Sequence, residues 1–133
     1  EGHVEEFEHP RGEELLVPTR IYARDCLAVA AETDVRTFAH VTGGGLARNV
    51  ERILPDGLAA VIDRGSWTPA PVFKLIASRG RVDRPEMEKT FNMGVGMALI
   101  VAEKDAAPTL AALGKGAFRI GPIERGTGRT RLQ

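Results

Sequence analysis

Cysteine is almost missing from this sequence: Cys26 is the only one in 133 residues. A single cysteine excludes an internal disulfide framework and fits a reducing, cytoplasmic setting. It falls in an expected helix between Tyr22 and Ala30, where a free thiol reads as a small packing hydrophobe rather than a nucleophile. Excess charge is missing too. Eighteen Lys and Arg balance eighteen Asp and Glu, so no net field favours nucleic acid or an anionic membrane as a partner. No apolar run approaches the roughly twenty residues that cross a bilayer, and the N-terminus has no apolar signal core. Common reaction signatures are absent as well. There is no CxxC, no HExxH and no group of histidines, so no metal site is expected. There is no GxSxG elbow, and the acidic residues are scattered without a pair that reads as a catalytic dyad or a magnesium site.

What is present fits one domain. A chain of 133 residues buries roughly two thirds of its unfolded surface in a single core. Residues 1–14 (EGHVEEFEHPRGEE) are polar, acidic and aperiodic, and are expected to form an exposed lead-in. The sequence opens with Glu1 rather than Met, as a fragment or a processed product would. Pro18 and Thr19 open a helical pattern to about Thr33. Thr37–Val41 reads as a short strand that breaks into Thr42-Gly43-Gly44-Gly45. Leu46, Val50, Ile53 and Leu54 then mark one face of a helix. Leu58–Ile62 reads as a buried strand, and Arg64-Gly65-Ser66 as a turn. Thr68-Pro69 predicts the start of a helix ending near Gly80. Asp83 with Glu86 predicts a capped helix whose Met87 and Phe91 share a face.

Val95–Ala102 is the strongest strand pattern, followed by a helix over 105–113, a strand over Phe118–Ile123 and a frayed tail over 125–133. The expected fold is therefore α+β, a layered α/β domain over residues 15–124 with helices packed on a mixed sheet of about four strands.

The stretch that points most clearly to chemistry is Ala39-His40-Val41-Thr42-Gly43-Gly44-Gly45-Leu46. A strand feeding glycines that open a helix presents unpaired N–H groups, and the helix dipole there favours an anion. Glycine also lets a phosphate approach the backbone. Two readings stand side by side: a cradle for a phosphate or carboxylate, or a tight turn that needs glycine only for steric reasons. The run is not a Walker A loop, since no Lys-Ser or Lys-Thr follows, and it is not a GxGxxG fingerprint.

Arg20 is expected in the first turn of its helix, where a cation opposes the dipole, so an anionic ligand or a neighbouring carboxylate would hold it. Asn92, between the capped helix and the glycines of Asn92-Met93-Gly94-Val95-Gly96, offers donor and acceptor groups to a polar ligand, or simply ends the helix. His40 reads as core packing or as a site residue. Trp67, Met93 and Met97 read as packing.

Taken together, Leu15–Tyr22 (LLVPTRIY), AHVTGGGL, Asn49–Pro55 (NVERILP), Ala60–Trp67 (AVIDRGSW), Glu88–Met97 (EKTFNMGVGM) and Phe118–Ile123 (FRIGPI) resemble, in order and spacing, the C-terminal domain of the aminoimidazole ribonucleotide synthetase family, the phosphoribosylformylglycinamidine cyclo-ligases. The resemblance covers about Leu15 to Glu124. It implies a partly ferredoxin-like layered fold and an ATP- and Mg2+-dependent ligase of purine biosynthesis. In that reaction formylglycinamidine ribonucleotide closes to aminoimidazole ribonucleotide through a phosphorylated formamide.

It also implies a homodimer whose preceding N-terminal domain carries most nucleotide and metal contacts. That domain and a His-Ser-Asn-Gly-Tyr-Ser-like stretch are not in this sequence, so the chain alone is expected to be inactive and to bind neither ATP nor Mg2+. The site residues carried over are Thr42, Gly43, Gly44 and Gly45, with Arg20, His40 and Asn92, expected to face an interdomain cleft and touch the ribonucleotide or its phosphate. Related selenophosphate synthetases, thiamine monophosphate kinases and formylglycinamidine ribonucleotide synthetases are the neighbouring alternatives, and a non-catalytic dimerisation module is the alternative from another class.

Overall fold

The computed structural model describes residues 13–14 and 16–133. The lead-in expected over the first residues therefore lies almost wholly outside the described residues, as does Leu15. In chain order the elements are α1 (Ala23–Glu32), β1 (Val35–His40), α2 (Gly45–Glu51), β2 (Leu58–Ile62), α3 (Pro71–Gly80), α4 (Arg84–Thr90), β3 (Met97–Val101), α5 (Ala106–Leu113), β4 (Ile123–Arg125) and β5 (Arg131–Leu132). Short 3-10 turns at Arg64–Ser66 and Glu103–Asp105 precede Trp67 and α5. This is a layered domain of five helices and five strands among the described residues.

The strands form two sheets where one of about four strands was expected. β1 pairs antiparallel with β3, with Ala39 opposite Ala98 and His40 opposite Met97. β2 is the centre of the second, mixed sheet, antiparallel to β4 and parallel to β5. The core joins the two. Val41, Leu46, Val50, Ile62 and Val95 form one buried cluster with Ala39, Ala60 and Ala98, and Trp67, Ile120, Ile123 and Leu132 pack against it.

Local chemistry explains most element ends. The Asp83 carboxylate accepts from the Glu86 amide at 3.0 Å, capping α4 as expected. Met87 on that helix is only 1% exposed. Thr33 closes α1: its amide and its hydroxyl both donate to the Val29 carbonyl. Arg81, in the left-handed conformation at φ 52°, ends α3 one residue beyond Gly80.

Four expectations need correction. First, α1 starts at Ala23 rather than at Pro18, so residues 16–22 are non-helical and Arg20 lies outside the first helical turn. Pro18 would suit a first turn, but the apolar positions before Tyr22 are exposed instead of facing the core, so no packed face holds a helix there.

Second, α3 opens with Pro71 at its first position and Ala70 at its cap, not with the Thr68-Pro69 pair. Either proline suits a first turn, and the tertiary packing around Trp67 selects the later one.

Third, the last strand is displaced. Residues 118–122 run extended beside β2, where the Asp63 and Val61 amides donate to the Ile120 and Pro122 carbonyls at 2.8 and 3.0 Å. The regular ladder of β4 begins only at Ile123.

Fourth, the C-terminus does not fray. Residues 131–132 pair with β2, the Gln133 amide donates to Ile62 O, the Arg64 amide donates to Gln133 O, and the Arg64 guanidinium donates to Leu132 O at 2.6 Å. A polar tail without apolar periodicity gives no sign of this, because main-chain pairing holds it.

Candidate functional site

The glycine loop is built from three directions. β1 delivers Val41, whose amide donates to Gly96 O of the neighbouring chain segment at 2.9 Å. Gly44 (φ 99°) and Gly45 (φ 72°) then take backbone conformations that side chains resist. At Gly45 the constraint is also one of space: a Cβ there would lie 1.7 Å from the Glu88 carbonyl oxygen at the end of α4. Beneath the loop, Asn49 is 6% exposed and its Nδ2 donates to the carbonyls of Gly45, Thr42 and Gly43 at 2.8, 3.2 and 3.4 Å. The loop carbonyls are thus tied inward. The Gly45 amide returns to Thr42 O at 3.1 Å. The amides of Thr42, Gly43 and Gly44 have no acceptor among the described residues. Gly43 is exposed with nothing within 4 Å of a Cβ built on it, so that amide has open space before it.

Asn92 stands next to this loop, since the carbonyl of Phe91 is 3.3 Å from the same constructed Cβ of Gly45. Its Oδ1 accepts from the Gly94 amide at 2.9 Å, which shapes the turn into β3. Arg20 and His40 gather elsewhere, around Tyr22. The Arg20 guanidinium lies 5.4 Å from the centroid of the Tyr22 ring, and the His40 ring meets that ring edge-on at 6.1 Å. Arg20 also pairs with Asp25 at 3.1 Å, the neighbouring-carboxylate option weighed for it. His40 is exposed, between buried Ala39 and Val41, so it is not a core histidine. The candidates therefore fall into two adjacent groups linked through the end of β1: Thr42–Gly45 with Asn92, and Arg20 with His40.

Sequence reasoning passed over Asn49, Arg48 and Glu88. Asn49 carries a visible signal, a polar residue on the same helical face as Leu46 and Val50. Arg48 is exposed, makes no ion pair among the described residues, and its side chain lies along the loop, with Cδ 3.0 Å from a Cβ placed on Gly44. Glu88 supports Gly45 through its main chain while its carboxylate is held by Arg64, at 2.7 Å to each oxygen, and by Arg84 at 2.8 Å. The hydrogen bond from Arg64 is the main reason its carboxyl sits below the ordinary carboxylate range, with burial opposing and Arg84 adding to the effect.

Cys26 behaves as packing: burial first and the Asp25 carboxylate second push its thiol up, with Arg20 opposing, so at neutral pH it stays protonated. Trp67 is packed as well, donating from Nε1 to Met93 O at 2.9 Å and stacking on Phe118.

Two cavities lie apart from the loop. One of about 430 Å³ is an apolar pocket between α3 and α4 beside Trp67. The other, of about 370 Å³, lies between β3 and the segment 116–123, and of the seven candidate residues only Arg20 lines it. Among the described residues no group of three or more His, Cys, Asp or Glu side chains could hold a metal ion. None of the described helices is long and apolar enough to cross a membrane.

A layered domain with a glycine loop braced from below and open above is the class that this fold and site define. The chain belongs to the family described as AIR synthase related protein, C-terminal domain, whose model matches residues 1–132. A putative phosphoribosylformylglycinamidine cyclo-ligase of Streptomyces fradiae is 57% identical over 110 residues, covering 83% of this chain and 60% of that protein. The phosphoribosylformylglycinamidine cyclo-ligase of Brevibacillus brevis is 45% identical over 127 residues, 93% of this chain and 37% of that protein. That of Anaeromyxobacter dehalogenans is 50% identical over 115 residues, 84% of this chain and 33% of that protein. The chain thus spans between 33% and 60% of the length of these relatives.

Proposed function

We propose that this chain acts as the C-terminal domain of an ATP-dependent phosphoribosylformylglycinamidine cyclo-ligase, which closes formylglycinamidine ribonucleotide to aminoimidazole ribonucleotide. The observation that carries the reading is the likeness to proteins of that name over most of the chain. The loop Thr42–Gly45 is then the part of the domain that meets the ribonucleotide, most simply at its phosphate, with Arg20, His40 and Asn92 on its flanks. Three amides without an acceptor among the described residues, in a loop whose carbonyls Asn49 ties from beneath and with the Arg48 cation alongside, support this assignment.

The chemistry that ATP and Mg2+ supply when bound is activation of the formamide oxygen by phosphorylation. In this reading the nucleotide and metal contacts belong mainly to the remainder of the longer protein, which also acts as a homodimer. The domain's contribution is to fix the substrate in place and to balance negative charge. Both are worth most where donors are organised before the substrate arrives. The domain by itself is inactive.

The test has two parts. In the labelled chain, aminoimidazole ribonucleotide should give saturable shifts at the amides of Gly43 and Gly44, with inorganic phosphate as the control. In the full-length protein, Gly43→Val should raise KM for the ribonucleotide by about tenfold without loss of folded protein, since the added side chain meets only open space. Unchanged KM and kcat in that variant would remove the loop from the substrate site.

A further inference from the structure

Arg64 and Glu88 form an ion pair that the proposed substrate site leaves unused. The guanidinium meets both carboxylate oxygens, from Nε and Nη2, each at 2.7 Å, and its Nη1 donates to the Leu132 carbonyl at 2.6 Å. A planar fork bonded in this way holds direction as well as distance. Exposed pairs hold little, because water competes for both partners. Arg119 and Glu103 are of that kind: they are doubly bonded too, but the Glu103 side chain is 78% exposed. The Glu88 side chain is only 14% exposed, so its geometry is kept.

The two partners belong to different elements. Arg64 opens the 3-10 turn after β2, and Glu88 stands in the last turn of α4. Met87, the residue before it, is 1% exposed. Neighbouring residues on a helix point about 100° apart. The buried methionine therefore sets how deep α4 lies, and the ion pair sets how far the helix is rolled about that anchor.

That roll decides where the glycine loop sits. The Glu88 carbonyl oxygen is 1.7 Å, and that of Phe91 3.3 Å, from the point a Cβ on Gly45 would occupy. Gly45 thus rests on the end of α4, and the chain leaving that end carries Asn92. Asn49 ties the loop carbonyls from beneath, but it belongs to α2, which begins at Gly45 and moves with the loop. It fixes the shape of the loop, while α4 fixes its place.

We infer that Arg64 is a positioning residue for the ribonucleotide site: through Glu88 it holds α4, and the end of α4 places both Thr42–Gly45 and Asn92. The inference rests on the reading of that loop as the substrate site. Arg64 itself need not touch the substrate. Arg84 supplies the contrast. It donates to the same carboxylate at 2.8 Å, but it stands on α4 one turn earlier, so it ties the helix to nothing outside itself.

The experiment compares Arg64→Met, Arg64→Lys and Arg84→Met, with Gly43→Val as reference, under conditions where circular dichroism shows each variant folded. In the full-length protein, Arg64→Met should raise KM for formylglycinamidine ribonucleotide about fivefold with kcat changed less than about twofold. Arg64→Lys should recover part of the loss, since an ammonium still meets Glu88 but cannot bridge both oxygens and Leu132. Arg84→Met removes the same charge and should leave KM within about twofold of the parent. In the labelled chain, Arg64→Met should shift the amides of Gly43, Gly44 and Asn92 and leave those of Phe38 and Leu99, in the β1–β3 pair, in place. A general loss of stability would not single out the loop. Where Arg64→Met does not fold, Glu88→Gln is read in the same way.

Loop amides that stay in place in Arg64→Met would overturn the inference, and so would an equal rise in KM in Arg84→Met, which would make the effect one of charge alone. If Gly43→Val raises KM and Arg64→Met does not, the positioning role alone is lost. If neither variant changes KM, the loop is not the substrate site and the inference falls with that reading.

Discussion

Gly45 and Gly43 stand two residues apart and are glycine for different reasons, which substitution can separate. Gly45→Ala places a methyl 1.7 Å from the Glu88 carbonyl oxygen at a φ of 72°, so α4 must move or the loop must change course. The cost should be about 2–5 kcal/mol, combining strain with overpacking. Gly43→Ala meets nothing within 4 Å and has an ordinary φ, so stability should change by less than about 0.5 kcal/mol. Urea denaturation of the two variants measures both. A small effect at Gly45 would show that the loop is not seated on α4 as described. At this scale the sequence was half legible. The glycine run announced a special backbone, and Asn49 on the apolar face of its helix was there to be read. That the Glu88 main chain is what excludes a side chain at Gly45 could not be read, because no pattern marks where a carbonyl from 43 positions away will come to rest.

At the scale of elements, α4 is tied to the C-terminal strand by the group formed by Glu88, Arg64 and Arg84. Arg64 donates to both Glu88 oxygens and to the carbonyl of Leu132, so one side chain joins a helix, a turn and β5. The lowered Glu88 pKa fixes the sign of the pH effect. The interaction contributes fully above the ordinary value near 4.5 and is lost as pH falls through the lower folded-state value. Glu88→Gln should therefore lower stability by about 1–3 kcal/mol at neutral pH, the range for a charge-assisted hydrogen bond with partly exposed partners. The difference from the parent should shrink toward zero as pH is brought below the folded-state value. Guanidinium denaturation at neutral and at strongly acidic pH checks this, and a difference independent of pH would refute it. The same tie explains why the tail is ordered. Its sequence is polar and aperiodic, and nothing in it shows that Arg64 and the edge of β2 will hold it.

Across the whole molecule, one apolar cluster joins the two sheets, with Ile62 from one and Ala98 from the other. Ile62 is 2% exposed, and Ile62→Ala should cost about 2–5 kcal/mol through lost transfer energy and the cavity left behind. Because the cluster is shared, Trp67 fluorescence and far-ultraviolet circular dichroism should report one coincident transition in the parent and in the variant. Separate transitions would mean that the sheets are independent units.

The sequence alone determined the layered class, the glycine loop between β1 and α2, β2 in full, the cap at Asp83 and the family likeness. These depend on side-chain chemistry at short range: apolar spacing, capping carboxylates and glycines at positive φ. The tertiary structure alone decided that the strands divide into two sheets with a slot between them, that Arg20 leaves the helix to meet Asp25 and Tyr22, that residues 118–122 run beside β2 ahead of the ladder at Ile123, and that the tail pairs. Those outcomes turn on main-chain groups, which every residue but proline carries alike, and so the pairing between distant segments leaves no mark in the order of side chains.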